Sequence, residues 1–231
     1  MVSRKRKVLR AVIVLMVAYC AGEYFYLPEP TILSAHVGKT FEQVVKDSTY
    51  PVLVRSGGSA KDMQWTNVTK PSVIIVFSDP RHGFTLPPTT FVAVTYMYGK
   101  VTTISTSPML KTLPFDEAVE VLAQLQQQFQ AGGWQPWDKS ESRWFDLTPA
   151  GRRRLHQRMH EPGWAEGQEL VVPGKYAMIF RLKCTAGCAG VPGPERFLID
   201  VGLGRASDAI YEYPHPPRGA PDDRTQTAAV H

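Results

Sequence analysis

The feature that most limits the fold is a series of short β-branched and aromatic runs broken by turn residues. "SVIIVFS" (Ser72 to Ser78) is nearly all apolar and reads as a buried strand. "TFVAVTYMYGKVTTISTS" reads as a hairpin with imperfect alternation, its arms Phe91 to Tyr98 and Val101 to Ser107 and its turn at Gly99-Lys100. "PVLVR" (Pro51 to Arg55) reads as a further strand, with the loop "SGGSAKD" after it. Glu169 to Val172, Tyr176 to Lys183 and Phe197 to Leu203 supply three more. Strands this short need sheet neighbours and a cover over one face.

Three helices are available as the cover. Thr40 with Gln43 three residues on is a capping-box pattern and predicts a short helix there. In "LPFDEAVEVLAQLQQQFQAGG", Phe115, Ala118, Val119, Leu122, Leu125 and Phe129 fall on one helical face. Pro114 starts that helix, acidic residues favour its first turn, and Gly132-Gly133 stop it. Thr148-Pro149 caps a third helix, the basic "AGRRRLHQRMH". No βαβ alternation runs through the chain. The expected class is α+β: a mainly antiparallel sheet packed by a few short helices, preceded by an N-terminal hydrophobic signal or anchor helix.

That leader is "MVSRKRKVLRAVIVLMVAYCAGEYFYLPEP". Ala11 to Gly22 is an uncharged apolar run of 12 residues, the length of a signal-peptide core. Extended from Val8 to Leu27 it reaches 20 residues, about 30 Å of helix, enough to span a bilayer. Arg10 can snorkel, and Tyr24, Phe25 and Tyr26 suit an interfacial aromatic belt. A cut after Ala21 leaves bulky Tyr19 at the wrong place, so a retained anchor is preferred to a cleaved signal. Lipidation at Cys20 would need a small residue before it, where Tyr19 stands. Basic residues stay on the cytoplasmic side, so the body is expected outside. The expected location is the inner membrane, single-pass, with the body in the periplasm; the alternative is a cleaved periplasmic or secreted protein. The expected divisions are 1–28 as basic n-region and signal or anchor, 29–212 as a single exported domain, and 213–231 as a Pro-rich disordered tail.

The net charge of +5 invites a nucleic-acid reading. Arg4, Lys5, Arg6, Lys7 and Arg10 hold five of the 26 basic residues, which leaves 21 against 21 acidic ones. A balanced body lacks the phosphate-neutralising excess of a nucleic-acid binder. Cysteine usage agrees with export. "KCTAGCAG" places Cys184 and Cys188 around Gly187. A disulfide between them is the expected pairing; zinc ligation and a redox role are the weaker alternatives.

Linear catalytic patterns are missing: G-x-S-x-G, H-E-x-x-H, S-x-x-K and G-x-G-x-x-G do not occur. "GKT" at Gly38 resembles the end of a P-loop, but the first glycine of that pattern would fall at Leu33. The expectation is a non-enzyme without a cofactor. Three groups remain as candidates. His156 and His160 stand four apart on a helix, where a metal can bridge them, although neighbouring positive charge opposes it. Asp79, Arg81 and His82 in "SDPRHG" form a weak candidate polar site, or simply turn chemistry. Trp134, Trp137, Trp144, Phe145 and Trp164 either lid a core or offer binding anchors. Arg152, Arg153, Arg154 and Arg158 can meet an acidic partner or anionic lipid, as Trp134 and Trp137 can meet a protein.

The layout of tether, small body and missing catalytic motif resembles that of periplasmic immunity proteins, which protect bacteria against toxins delivered by neighbours. The likeness implies a membrane-tethered protein that binds another protein, and it carries over no individual residue. An envelope assembly or accessory factor is the alternative, and a hydrolase with an unrecognised site is a third. Expected partners are the membrane, through the N-terminal helix, and a protein, with no nucleic acid.

Overall fold

The computed structural model describes residues 29–53, 55–56, 63–138, 142–161, 165–188 and 192–206. The leader with Cys20, Trp164 and the 213–231 tail lie outside the described residues. Among the described residues no helix is long and apolar enough to cross a membrane.

The fold is mixed α+β with mostly antiparallel sheets and three short helices. In chain order the elements are β1 (Thr31–Ala35), α1 (Phe41–Asp47), β2 (Arg55–Ser56), β3 (Met63–Val68), β4 (Val73–Phe77), β5 (Phe84–Thr85), β6 (Val92–Met97), β7 (Lys100–Thr106), α2 (Phe115–Ala131), β8 (Gln135–Pro136), α3 (Pro149–Met159), β9 (Ala165–Val172), β10 (Tyr176–Ala186) and β11 (Arg196–Arg205). Eight strands form one sheet in the order β2-β3-β6-β7-β11-β10-β9-β8. The other three form a small sheet, β1-β4-β5. Strands from the two halves of the sequence therefore meet in one sheet, joined where β7 pairs with β11.

Two helices begin on side-chain caps, and α2 begins directly after Pro114 with no side-chain cap. Thr40 and Gln43 make both capping-box bonds at α1. Thr148 Oγ1 accepts from Gly151 N at α3, with Pro149 at the first helical position. In α2, Ala118, Val119, Leu122, Leu125 and Phe129 are buried while Phe115 is partly so. Burying each large apolar side chain contributes about 1.5–3 kcal/mol. Phe129 meets Phe180 of β10 edge-on, and Phe145 packs on the same ring. At the other end Phe77 stacks on Phe84 at 5.0 Å and takes Trp134 and Tyr176 on its flanks. This aromatic group ties the small sheet to the large one.

Two local expectations need correction, and the strand pairing accounts for two further features. Pro51 to Leu53 is not strand, and pairing begins only at Arg55. The chain just before and within that run bonds sideways instead: Thr49 N and Tyr50 N donate to Ile32 O, and Thr66 Oγ1 reaches Leu53 O. The β6–β7 turn sits one residue earlier than expected, at Tyr98-Gly99, where φ is 51° and 69°. Two left-handed residues in a two-residue loop match the right-handed twist of the flanking strands. The break in alternation is a bulge, since Thr95 pairs with Thr103 and Tyr96 with Val101. Finally, β1 and β4 pair in parallel, a contact that hairpin signals could not announce.

Candidate functional site

Two clusters of polar side chains stand out, one closed and one open. The closed cluster lies beyond the C-terminal ends of the parallel pair β1 and β4. The chain leaves β4 through Ser78 and Asp79 and turns at Pro80–His82. Asp79 Oδ1 accepts from Arg81 N at 3.0 Å and His82 N at 2.9 Å, which closes the turn. Its Oδ2 accepts from Lys175 Nζ at 2.5 Å and from Tyr176 Oη at 2.8 Å. The Asp79 side chain is 4% exposed. Burial alone would raise its pKa, but bonds from Lys175, His82 N, Tyr176 and Arg81 N outweigh that and hold the carboxyl well below its usual range. Burial, and then the bond to Asp79, pushes the Tyr176 phenol up.

Of the residues singled out in "SDPRHG", the structure thus makes Asp79 a buried anchor. His82 contributes its backbone to that anchor, and its Nδ1–H donates to Gly132 O at 2.8 Å. Trp134 Nε1 closes the circuit onto His82 O at 3.1 Å. The Arg81 side chain is exposed. Lys175 and Tyr176 stand almost a hundred residues away from Asp79, so no linear signal could have found them.

Beside Asp79 lies a buried cation. Lys39, in the rejected "GKT", is 4% exposed and its ammonium touches Ser34 O, Ser34 Oγ, Ser78 Oγ and Asp47 Oδ2 at 2.9–3.1 Å. Ser78 Oγ is also 3.1 Å from His36 Nδ1. Burial, then the Lys39 charge, keeps the His36 pKa below its ordinary value. Neutral His36 can accept the Ser78 proton while Lys39 donates to the same oxygen, so the Ser78 hydroxyl is engaged as donor and as acceptor.

The open cluster joins α3 to the segment before β11. His156 and His160 are one helical turn apart, and their rings meet edge-on at 5.0 Å. Both Nε2 atoms face the carboxylate of Glu195, at 2.7 Å to Oε2 and 3.3 Å to Oε1. Phe115 packs on His156 at 4.4 Å between ring centres. Hydrogen bonding from His156 lowers the Glu195 pKa. The sequence showed the two histidines and gave no sign of Glu195, which lies in a Gly/Pro-rich stretch with no periodicity.

The arginines around this cluster are mostly engaged. Arg152 reaches Glu120 at 2.6 Å, Arg154 reaches Asp146 at 2.5 Å and Arg158 reaches Glu166 at 3.0 Å. Arg153 is exposed. The basic face therefore carries less net charge than its letters imply. Trp134 is buried in the core and Trp137 is half-buried, its backbone N–H donating to Glu169 O. The Cys184–Cys188 disulfide is present, with Cα atoms 6.2 Å apart, at the end of β10.

No known protein family, no curated protein and no solved structure matches this chain.

Proposed function

We propose that this chain is a non-enzymatic envelope protein, exported and tethered by its N-terminal apolar segment, that binds a protein partner in the manner of an immunity protein against a delivered toxin. The observation that supports a scaffold over a catalyst is the saturation of Asp79 and Lys39, the buried charged side chains among the described residues. Asp79 takes four donors and the Lys39 ammonium is held on several sides. Groups so engaged rigidify a body and have little freedom left for proton transfer. The disulfide favours an oxidising compartment, and the balanced charge outside the leader fits a protein partner better than a polyanion.

Deleting the gene and competing the strain against its parent tests this reading. The deletion strain is expected to lose in mixed culture, grow normally alone, and recover only with a copy that carries its leader. Equal survival in the mixture sinks the immunity role. A growth or integrity defect in pure culture instead favours the envelope accessory factor.

One observation supports a second reading, a hydrolase. The Ser78–His36 contact has the geometry of a nucleophile and its base. A fluorophosphonate probe that labels Ser78 in the native protein, and fails on His36→Ala, would establish it. An unlabelled Ser78 removes it.

A further inference from the structure

We propose that His156, His160 and Glu195 form a binding site for a divalent late-transition metal ion, zinc by preference. This inference does not depend on the partner-binding role. Their ligand atoms all lie within 4.8 Å of one another. A tetrahedral ion with bonds near 2.1 Å needs neighbouring ligands about 3.4 Å apart. Glu195 now stands 2.7 Å from His156 Nε2 and 3.3 Å from His160 Nε2, so side-chain rotation of Glu195 and of the two rings brings the three donors to that spacing. The metal would take the place of the proton between His156 Nε2 and the Glu195 carboxylate.

The donor set selects the ion. Two neutral imidazole nitrogens and one carboxylate suit zinc, copper or nickel and disfavour calcium and magnesium, which require oxygen. Three protein ligands leave a position open to water or to a donor from outside. The side chains are 37%, 41% and 37% exposed, so an ion can enter and that position faces solvent.

The positive charge that argued against a metal is largely cancelled. Three of the four α3 arginines pair with Glu120, Asp146 and Glu166. His160 caps the C-terminus of this eleven-residue helix, where the carbonyl end of the dipole favours a cation.

The site is also pre-positioned. Phe115 and Phe197 wall one side of His156. Glu195 is held by the disulfide loop: a Cβ on Gly187, whose φ is +76°, would meet the Glu195 backbone, with its Cα at 2.6 Å. Ala186 pairs with Arg196, and Thr185 Oγ1 donates to Arg196 O at 3.0 Å. The staple at Cys184–Cys188 therefore fixes the third ligand, and metal affinity depends on it. A bound ion would clamp α3 to the start of β11, across a separation of 39 residues between His156 and Glu195.

Titration calorimetry with Zn2+ on chelator-treated, untagged full-length protein at neutral pH tests the site. One ion per chain is expected, with a rise in melting temperature. His156→Ala and Glu195→Gln should each weaken binding at least about 10-fold, while His82→Gln leaves it unchanged. The Cys184→Ala/Cys188→Ala variant should bind less tightly, which reports the staple without a reductant that would itself chelate zinc. Circular dichroism in chelator confirms that each variant is folded; a variant that is not is replaced by His160→Ala. No binding in excess Zn2+, or binding that survives the His156→Ala/Glu195→Gln double variant, overturns the proposal.

Discussion

The cluster around Asp79 and the cluster around Glu195 are built from similar side chains and differ in nearly every physical respect. Asp79 is buried, sits in a tight turn and has a donor at every face. Glu195 is over one-third exposed, and two imidazoles approach it from one helix. A buried carboxylate without its donors would be costly, so the first cluster must be complete before the fold is stable. The second loses little if its partners let go. The lesson is that saturation marks structure, whereas a convergent, solvent-facing set of unlike donors marks a place where something else can bind.

The largest effect should come from Asp79→Ala. It leaves the Tyr176 hydroxyl, the Lys175 ammonium and two backbone N–H groups without their acceptor, and should cost about 3 kcal/mol, seen as a fall of roughly 10 °C in a thermal melt. The sign of the pH dependence follows. The folded-state pKa of Asp79 is depressed, so its contribution is fully present above the unfolded value of about 4 and is lost as pH falls toward the folded one. The gap between the native protein and the variant should narrow below that value in melts at decreasing pH. A gap that stays constant contradicts the assignment.

Replacing both cysteines should rank next. A bridge across a separation of four residues contributes about 2 kcal/mol through loop-closure entropy. Melting the Cys184→Ser/Cys188→Ser variant with and without reductant should show no difference, while the native protein loses stability on reduction. Equal melting of the reduced and oxidised native protein would mean that the staple is energetically idle.

Lys39 sharpens the contrast within the closed cluster. Lys39→Met keeps the buried stem and removes the charge, and should cost less than Lys39→Ala by about 1 kcal/mol. Because Lys39 is one cause of the lowered His36 pKa, the methionine variant should raise it toward the ordinary value. The titration of the His36 ring protons by NMR reads this directly, and an unmoved curve would remove Lys39 from the causes and leave burial and the Lys175 charge.

Smallest of all is Glu195→Gln in the absence of metal. Its pairs with His156 and His160 are exposed, and the variant should melt within about 0.5 kcal/mol of the native protein. A larger loss would move Glu195 into the structural class with Asp79.

The letters alone fixed what depends on neighbours in sequence. All three helices were legible, because capping boxes, proline at the first position and one apolar face are local signals. So were the hairpin, the strands β9 to β11 and the disulfide, whose partners stand four apart. β1 and β3 were not legible. "TILSA" is short and follows prolines, and "MQWTNV" mixes polar and apolar residues without a clean alternation, so each is a strand only because a neighbour supplies its hydrogen bonds. "PVLVR" failed in the opposite way: Pro51 to Leu53 is not strand, and Leu53 O takes its bond from the Thr66 side chain instead of from a ladder.

The sites divide along the same line. Asp79 and the pair His156 and His160 were visible as residue types in suggestive places. Their roles came from Lys175, Tyr176 and Glu195, which the chain brings in from 39 to 97 residues away. Turns, caps and short loops are decided by interactions a few bonds long, which the sequence carries openly. Whether a carboxylate is a sealed anchor or an open ligand is decided by burial and by which donors arrive, and only the tertiary structure brings those together.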